Sequence, residues 1–243
     1  MRAHFGGSSR KSLVASRASL DAAVKGADAN SASALSSELF FIADVLSTNI
    51  SVRRALSDSS RDGESKAAFI SELFGKKIGA LALGLVSEIS GLRWSAPKDL
   101  VLVLEQLAIE AEASAANIAG ELDRVEDEIF TAAAAFAGSS ELRKALTSDA
   151  TNAKATLVAD ILKGASGSTV KLVSQMVNAW RGRSIESAFA DYQWALAARR
   201  NRVIALVRVA TPLTQAQQDR LATALTSKVG QPVRINIEID PSV

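Results

Sequence analysis

The chain has 243 residues, of which 28 are basic and 26 acidic, giving a formal net charge of +2, and 48% are hydrophobic. This length allows one large domain or two to three small ones, and the apolar fraction can fill buried cores instead of leaving the chain disordered. The near-neutral charge argues against nucleic acid as a partner. Because the chain has no cysteine and a single histidine, His4, disulfides, a cysteine nucleophile and a thiolate or polyhistidine metal site are excluded.

The N-terminal segment, residues 1–8, is predicted to be a flexible tail in which His4 is solvated. It lacks the apolar core of a signal peptide. No stretch of eighteen uninterrupted apolar residues occurs anywhere in the sequence, so no membrane span is predicted. We expect a cytosolic protein that reaches a membrane only through its partners.

Residues 9–200 follow a helical pattern. Pro97 is the only proline in this range, and apolar side chains recur at helical spacing. The pattern predicts helices at about 9–25, 31–48, 51–57, 63–75, 77–91, 96–119, 121–137, 139–147, 151–163, 168–181 and 183–201. The glycines at or near these breaks are predicted to act as C-terminal caps: Gly26, Gly91, Gly138, Gly164 and Gly182.

The run from Pro97 to Phe136 is interrupted by Gly120 alone. Proline lacks an N–H where the first turn of a helix needs none, and the carboxylate of Asp99 favours the positive end of the helix dipole. A helix is therefore predicted to begin at Pro97. Gly120 leaves two forms open, one long helix or two helices with a kink.

Beyond residue 202 the pattern changes to strands. Residues 202–209 are rich in β-branched side chains, and residues 233–239 alternate apolar and polar positions, as a strand with one buried face does. Between them, Thr214 and Gln217 have the spacing of a capping box, at the start of a helix that Gly230 ends. The order strand, helix, strand predicts a βαβ unit with parallel strands.

The helical part repeats with a period of about 90 residues. The spacing falls from 90 to 87 along the chain, as small deletions in loops would produce. Either the segment that begins at Pro97 then serves both copies, or the second copy lacks a separate first helix. In both cases we expect the copies to be joined rigidly. The matched segments are 52–57 with 142–147, 66–70 with 154–158, and 86–89 with 173–176. In each copy the last of these segments is followed by a tryptophan beside an arginine, Trp94 in the first copy and Trp180 in the second.

The predicted architecture is mainly α with a small α/β C-terminal unit, two tandem helical bundles followed by a βαβ unit. After the tail at 1–8, the first bundle is predicted at 9–119 and the second at 100–201, sharing the 97–136 segment. The βαβ unit is predicted at 202–243.

No motif for catalysis stands out. Neither G-x-x-x-x-G-K-[ST] nor G-x-G-x-x-G occurs, and the glycines at 164–167 follow a predicted helix, as a cap and turn would. Acidic residues cluster within 121–128. We interpret this cluster as a solvated helix face and not as acid–base machinery, with docking of a basic partner as the alternative.

A basic and aromatic region ends the helical part. Residues 199–202 complement the carbonyl end of their helix, although together with Arg181 and Arg183 they could contact phosphate. Trp180, Tyr192 and Trp194 have helical spacing, so we predict that they pack in the core instead of stacking on bases.

The C-terminal part resembles the ATP synthase delta (OSCP) family. The resemblance lies in residues 207–214, in Gln217, Leu221 and Leu225 with the turn 230–233, and in residues 237–243, which end in Asp-Pro-Ser and an aliphatic residue. Residues 139–200 resemble the family's N-terminal bundle, so the copy before them is extra, as in actinobacterial delta subunits, some of which are fused to a b subunit. The family's sequence continues past the position of Val243, so the C-terminus is expected to be truncated and to leave a sheet edge open.

The resemblance implies a non-catalytic stator subunit of a rotary F-type ATP synthase, peripheral on the cytoplasmic side of the plasma membrane, with no cofactor, metal, nucleic acid or small-molecule substrate. It implies that the bundles bind N-terminal helices of alpha subunits between their first and fifth helices. It also implies that the C-terminal unit binds the end of the b subunit, the C-terminus of the peripheral stalk. The implied contact residues are Leu13, Leu20, Leu83 and Val86 in the first copy, Leu104, Leu107, Leu172 and Met176 in the second, and Leu221, Leu225 and Ile237 for the b subunit. For all of them the alternative role is packing in the core.

Two other functions stay open on the residues alone. A general helical interaction scaffold would bind an amphipathic helix in the same manner, but it leaves the ending Asp240-Pro241-Ser242 unexplained. A weak nucleic-acid-binding protein is suggested by the arginines near residues 181–202. An enzyme is disfavoured because no catalytic constellation occurs.

Overall fold

A computed structural model describes residues 5–147, 151–199, 203–229 and 233–239. By compactness the chain divides into a first unit, Met1–Gln193, and a second unit, Trp194–Val243. The predictions for His4, Arg200, Asn201, Arg202, Gly230 and the ending 240–243 lie outside the described residues.

The first unit is built of helices, and the mainly helical fold class is confirmed. Every predicted helix is present, and each predicted boundary lies within three residues of the observed one. The helices of the described part are α1 (Gly7–Val24), α2 (Ala29–Thr48), α3 (Ile50–Ser57), α4 (Gly63–Phe74), α5 (Ala80–Gly91), α6 (Pro97–Ile118), α7 (Leu122–Gly138), α8 (Ser140–Thr147), α9 (Thr151–Ile161), α10 (Gly167–Asn178) and α11 (Ile185–Arg199), the last of which runs on into the second unit.

Gly120 divides the run that begins at Pro97 into two helices, α6 and α7. Its φ is +74°, a left-handed conformation that glycine adopts without a steric penalty. Gly26 follows α1 in the same conformation, with a φ of +77°. Gly91 and Gly138, in contrast, are the last residues of their helices and do not have positive φ, so α5 and α7 end without the predicted glycine cap.

Helix α6 forms the centre of the first unit. Its N-terminus is fixed by Asp99, which accepts hydrogen bonds from the N–H of Ala96 at 3.2 Å and from the hydroxyl of Ser9 at 2.6 Å. Residues 103–105 and 107–116 are buried. Helices that precede it, α1, α2 and α3, and helices that follow it, α7 and α10, all pack against it. A helix enclosed on all faces is a core helix.

The helices after α6 repeat the order of those before it. α6 lies between the two series, and helices of both series pack against it. The offsets between corresponding helices are 90, 88 and 87 residues, for the starts of α3 and α8 (Ile50 and Ser140), α4 and α9 (Gly63 and Thr151), and α5 and α10 (Ala80 and Gly167).

The second unit contains two parallel strands and a helix between them in sequence. The strands pair in a register that places Val207 opposite Ile237, and the helix packs on the second strand. The elements are β1 (Val203–Val209), α12 (Gln215–Val229) and β2 (Val233–Ile239).

Helix α12 begins with the predicted capping box. The N–H of Thr214 donates to Oε1 of Gln217 at 2.8 Å, and the N–H of Gln217 lies 3.4 Å from the hydroxyl of Thr214. Two backbone donors at the start of the helix are thereby satisfied.

Candidate interaction surfaces

Two buried carboxylates on α6 hold helices from both sides of the sequence. Glu110 accepts hydrogen bonds from Nε and Nη2 of Arg17 in α1, at 2.8 and 2.6 Å, and Glu112 pairs with Lys171 of α10 at 2.9 Å. Both carboxylate side chains are only 2% exposed. Because an unpaired buried charge is costly, these ion pairs fix α1 and α10 on the same helix.

A third carboxylate of α6, Glu105, lies in a larger buried network. Its oxygens lie 2.7 Å from Nη2 of Arg183 and 3.4 Å from Nε of Arg181, and the hydroxyl of Tyr192 donates to it at 3.4 Å. Arg181 also pairs with Asp44 of α2 at 2.6 Å. The backbone φ of Arg181 is +50°, a conformation uncommon outside glycine. The loop between α10 and α11 is thus held by the ion pairs of its side chains.

The network also sets the ionisation of its members. Burial, and then the neighbouring charge of Glu105, raise the pKa of Tyr192 well above its usual range. Burial alone would lower the pKa of Arg183, but the charge and hydrogen bond of Glu105, together with the charges of Tyr192 and Asp191, outweigh burial and the net shift is upward. The positive charges of Arg181 and Arg183 are therefore neutralised inside the protein, and the nucleic-acid interpretation loses two of its phosphate-binding candidates.

The acidic cluster at 121–128 is not the uniform solvated face that the sequence predicts. Glu126 is buried. Glu128 turns toward the N-terminus of α10 and accepts hydrogen bonds from the N–H of Ser166 at 2.9 Å and the hydroxyl of Thr169 at 2.6 Å. Burial alone would raise the pKa of Glu128, but these hydrogen bonds favour the carboxylate and the net shift is downward. Part of the cluster is therefore structural.

Most of the predicted alpha-binding residues lie in the core. These side chains lie beneath the outer faces of their helices, whereas a partner can contact only accessible atoms. Leu83 is half-buried, and the others are buried: Leu13, Leu20, Val86, Leu104, Leu107, Leu172 and Met176. In the second unit the three predicted b-binding residues are half-buried: Leu221, Leu225 and Ile237.

Two large apolar side chains that the sequence analysis missed are exposed near the first predicted groove. Val14 of α1 is 68% exposed and Leu81 of α5 is 47% exposed, and α1 packs against α5. Helical periodicity could have indicated that Val14 is exposed, because Val14 directly follows Leu13 and therefore falls outside the buried stripe of α1. Phe130 of α7, 50% exposed, is a further uncovered apolar side chain.

The described residues contain no group of three or more acidic or histidine side chains placed to hold a metal ion. No single helix in these ranges has both the length and the apolarity of a membrane span, and although α2 and α3 would qualify together, the chain bends by 108° between them. The described part of the chain is thus mainly helical, with a small α/β unit near its C-terminal end.

Comparison with known proteins identifies the family. Residues 110–243 match the family described as ATP synthase delta (OSCP) subunit. The chain is 40% identical over 240 residues to the ATP synthase subunit delta of Streptomyces coelicolor, covering 98% of this chain and 87% of that protein. It is 37% identical over 241 residues to that of Kineococcus radiotolerans, covering 97% and 86%, and 39% identical over 212 residues to that of Thermobifida fusca, covering 86% and 79%. The chain belongs to the ATP synthase delta (OSCP) subunit family.

Family membership confirms the resemblance read from the C-terminal residues and the function that it implies. The chain is a non-catalytic stator subunit of an F-type ATP synthase and a peripheral part of that membrane-bound complex. The family match begins at residue 110, within α6. The actinobacterial delta subunits match nearly the whole chain, so the sequence that forms helices α1–α5 is matched in these relatives as well.

Proposed function

We propose that the chain links the catalytic head of the synthase to its peripheral stalk by binding the N-terminal helix of an alpha subunit on the first unit and the C-terminus of the b subunit on the second. The contacts would lie on the cytoplasmic side of the plasma membrane and hold the head still against the torque of the rotor. In this proposal the two tandem bundles, 9–119 and 100–201, share α6, and the βαβ unit at 202–243 forms the stalk end.

The exposed apolar strip along α1 and α5 is the observation that carries the alpha-binding part. Val14 and Leu81 are exposed there, and Ala18 and Gly84, also exposed, are small enough to let a helix approach closely. An amphipathic helix that packs its apolar face between two bundle helices would cover this strip. Arg10 and Lys11, exposed on α1, favour acidic residues at the margin of that helix.

The alpha-binding proposal is tested by titrating the chain with a fluorescent peptide taken from the N-terminus of an alpha subunit. Leu81→Glu places a charge in the strip and should weaken binding at least about tenfold, because the carboxylate would be desolvated without a partner. Phe130→Glu is the matched control, since Phe130 is about equally exposed but lies on α7. Equal weakening by both variants, or by neither, contradicts the proposed surface.

The b-binding proposal rests on the half-buried leucines of α12. Leu221 and Leu225 lie one helical turn apart and keep part of their surface accessible, so they can contribute apolar contact area. Leu225→Glu should weaken binding of a peptide from the C-terminus of the b subunit at least about tenfold and leave binding of the alpha peptide unchanged. Circular dichroism checks that the variant is folded, and a folded variant with unchanged b binding refutes this site.

A further inference from the structure

The outer face of α6 differs from the corresponding face of α1. Both helices are followed by a glycine of positive φ, Gly26 and Gly120, which aligns the two helices at an offset of 94 residues. At this offset five exposed positions of α1 correspond to buried positions of α6: Val14 to Ala108, Ala15 to Ile109, Ala18 to Glu112, Asp21 to Ala115 and Ala22 to Ala116. A neighbouring element therefore covers on α6 the face that α1 leaves open.

Helix α2 is the element that covers this face. It packs along α6 more extensively than any other described helix does. Near the start of α2, Lys171 of α10 donates to the backbone carbonyl of Ser33 at 3.0 Å and also to the Ser33 hydroxyl. Near its end, Asp44 pairs with Arg181, which follows α10. α2 therefore runs along α6 and is tied by side chains to α10 near its start and to the loop after α10 near its end. It lies beside the groove between α6 and α10, which we call the α6/α10 groove.

The α6/α10 groove is polar where α2 contacts it. The carboxylate of Glu112 accepts hydrogen bonds from three side chains on two elements: from Ser33 of α2 at 3.0 Å, and from Ser168 and Lys171 of α10 at 2.7 and 2.9 Å. This cluster satisfies a buried charge and fastens α2 to both walls of the groove.

The corresponding α1/α5 groove lacks this cluster. The 87-residue offset between α5 and α10 places Leu81 at the position of Ser168 and Gly84 at that of Lys171, and Ala18 takes the place of Glu112. All three positions are exposed. The groove that holds a helix of the same chain is polar and covered, and the one that is open is apolar.

We propose that α2 is a built-in occupant of the α6/α10 groove, so the chain offers a partner helix one groove, α1/α5, and not two. The first series of helices fills the groove of the second series and leaves its own open. The inference deepens the proposed function and rests on it only for the identity of the partner helix, a helix with an apolar face suited to Val14, Ala18, Leu81 and Gly84.

The occupancy of the α6/α10 groove is tested without any partner. Because the chain has no cysteine, Ser33→Cys combined with Ser168→Cys introduces one defined thiol pair, and both serines donate to the same carboxylate. A short bis-maleimide should cross-link the pair nearly completely within the chain, whereas each single variant should give no intramolecular product. Amide hydrogen exchange of the unmodified chain is the second readout, and α2 should be protected as strongly as α6. Poor cross-linking of the folded variant, or fast exchange in α2, overturns the inference.

The number of open grooves is tested with the same alpha peptide. We expect one peptide per chain, the same number after cross-linking, and at least about tenfold weaker binding in Ala18→Glu but not in the matched control Ala134→Glu, which is exposed on α7. Two peptides per chain, falling to one after cross-linking, would show that α2 leaves its groove and would overturn the inference. Complete cross-linking without any peptide binding would refute the proposed function and leave α2 as the occupant.

Discussion

At the scale of single residues, the buried carboxylate of Glu105 pairs with two arginines at once, Arg181 and Arg183. Glutamine would keep the shape of the side chain but remove the counter-charge that the two mostly buried guanidinium groups share, leaving Arg181 with Asp44 and Arg183 with Asp191. We expect Glu105→Gln to lower the free energy of unfolding by about 3 kcal/mol, measured by urea denaturation. Glu72→Gln, at an exposed position of α4, should change it by less than about 0.5 kcal/mol, and a similar loss in both variants would contradict a special role for Glu105.

Tyr192 provides a second prediction at this scale, because it is the only tyrosine in the chain. Burial and the Glu105 charge raise its pKa in the folded state, whereas in the unfolded state the pKa is about 10. The folded state therefore keeps this contribution to stability below pH about 10 and loses it as the pH rises further. We expect phenolate absorbance to develop together with the loss of helical circular dichroism, and an earlier phenolate signal in a fully helical protein would show that Tyr192 is accessible.

At the scale of elements, α1 and α6 are each followed by a glycine in the left-handed conformation, in which other residues are strained. Gly26 and Gly120 have φ of +77° and +74°, and an added Cβ would meet no atom within 4 Å at either position. Any cost of alanine there is thus backbone strain, and we expect Gly26→Ala and Gly120→Ala each to lower stability by about 1 kcal/mol. Gly138→Ala is the control, because Gly138 ends α7 without positive φ and in equally open space; it should be neutral or slightly stabilising.

Local patterns predicted these elements well, because the interactions that form them are local. The start of α6 at Pro97 and the capping box of α12 depend on residues within one helical turn of each other. The burial of Glu112 was not predictable in this way. Its partner Lys171 is 59 residues away, and nothing near Glu112 in the sequence marks it as paired.

The same limit applies to the predicted contact residues. The resemblance implies an alpha contact for Leu104 and Leu107, but helical periodicity does not say which face of a helix an earlier or later element covers. α6 is covered from both sides of the sequence, so its stripe is core, whereas Val14 on α1 lies outside the buried stripe and is exposed. The outer surface of a bundle therefore depends on tertiary packing that only the structure supplies.

At the scale of the whole molecule, α6 makes the first unit mechanically continuous. Its buried carboxylates bind Arg17 from the earlier series and Lys171, Arg181 and Arg183 from the later one. A stator subunit must transmit force without yielding between its parts, and a shared core helix provides this more directly than a linker would.

A shared helix also predicts that the two series unfold together. Trp94 reports on the earlier series and Trp180 on the later one, and Trp194→Phe removes the third tryptophan. In this background, single-tryptophan variants should give coincident urea transitions. Leu85→Ala, which opens a cavity in α5 far in sequence from Trp180, should cost about 2–5 kcal/mol and lower both midpoints equally, because α6 cannot be native for one series and unfolded for the other. A shift of the Trp94 transition alone would mean that the two series are independent domains joined by α6 instead of one cooperative body.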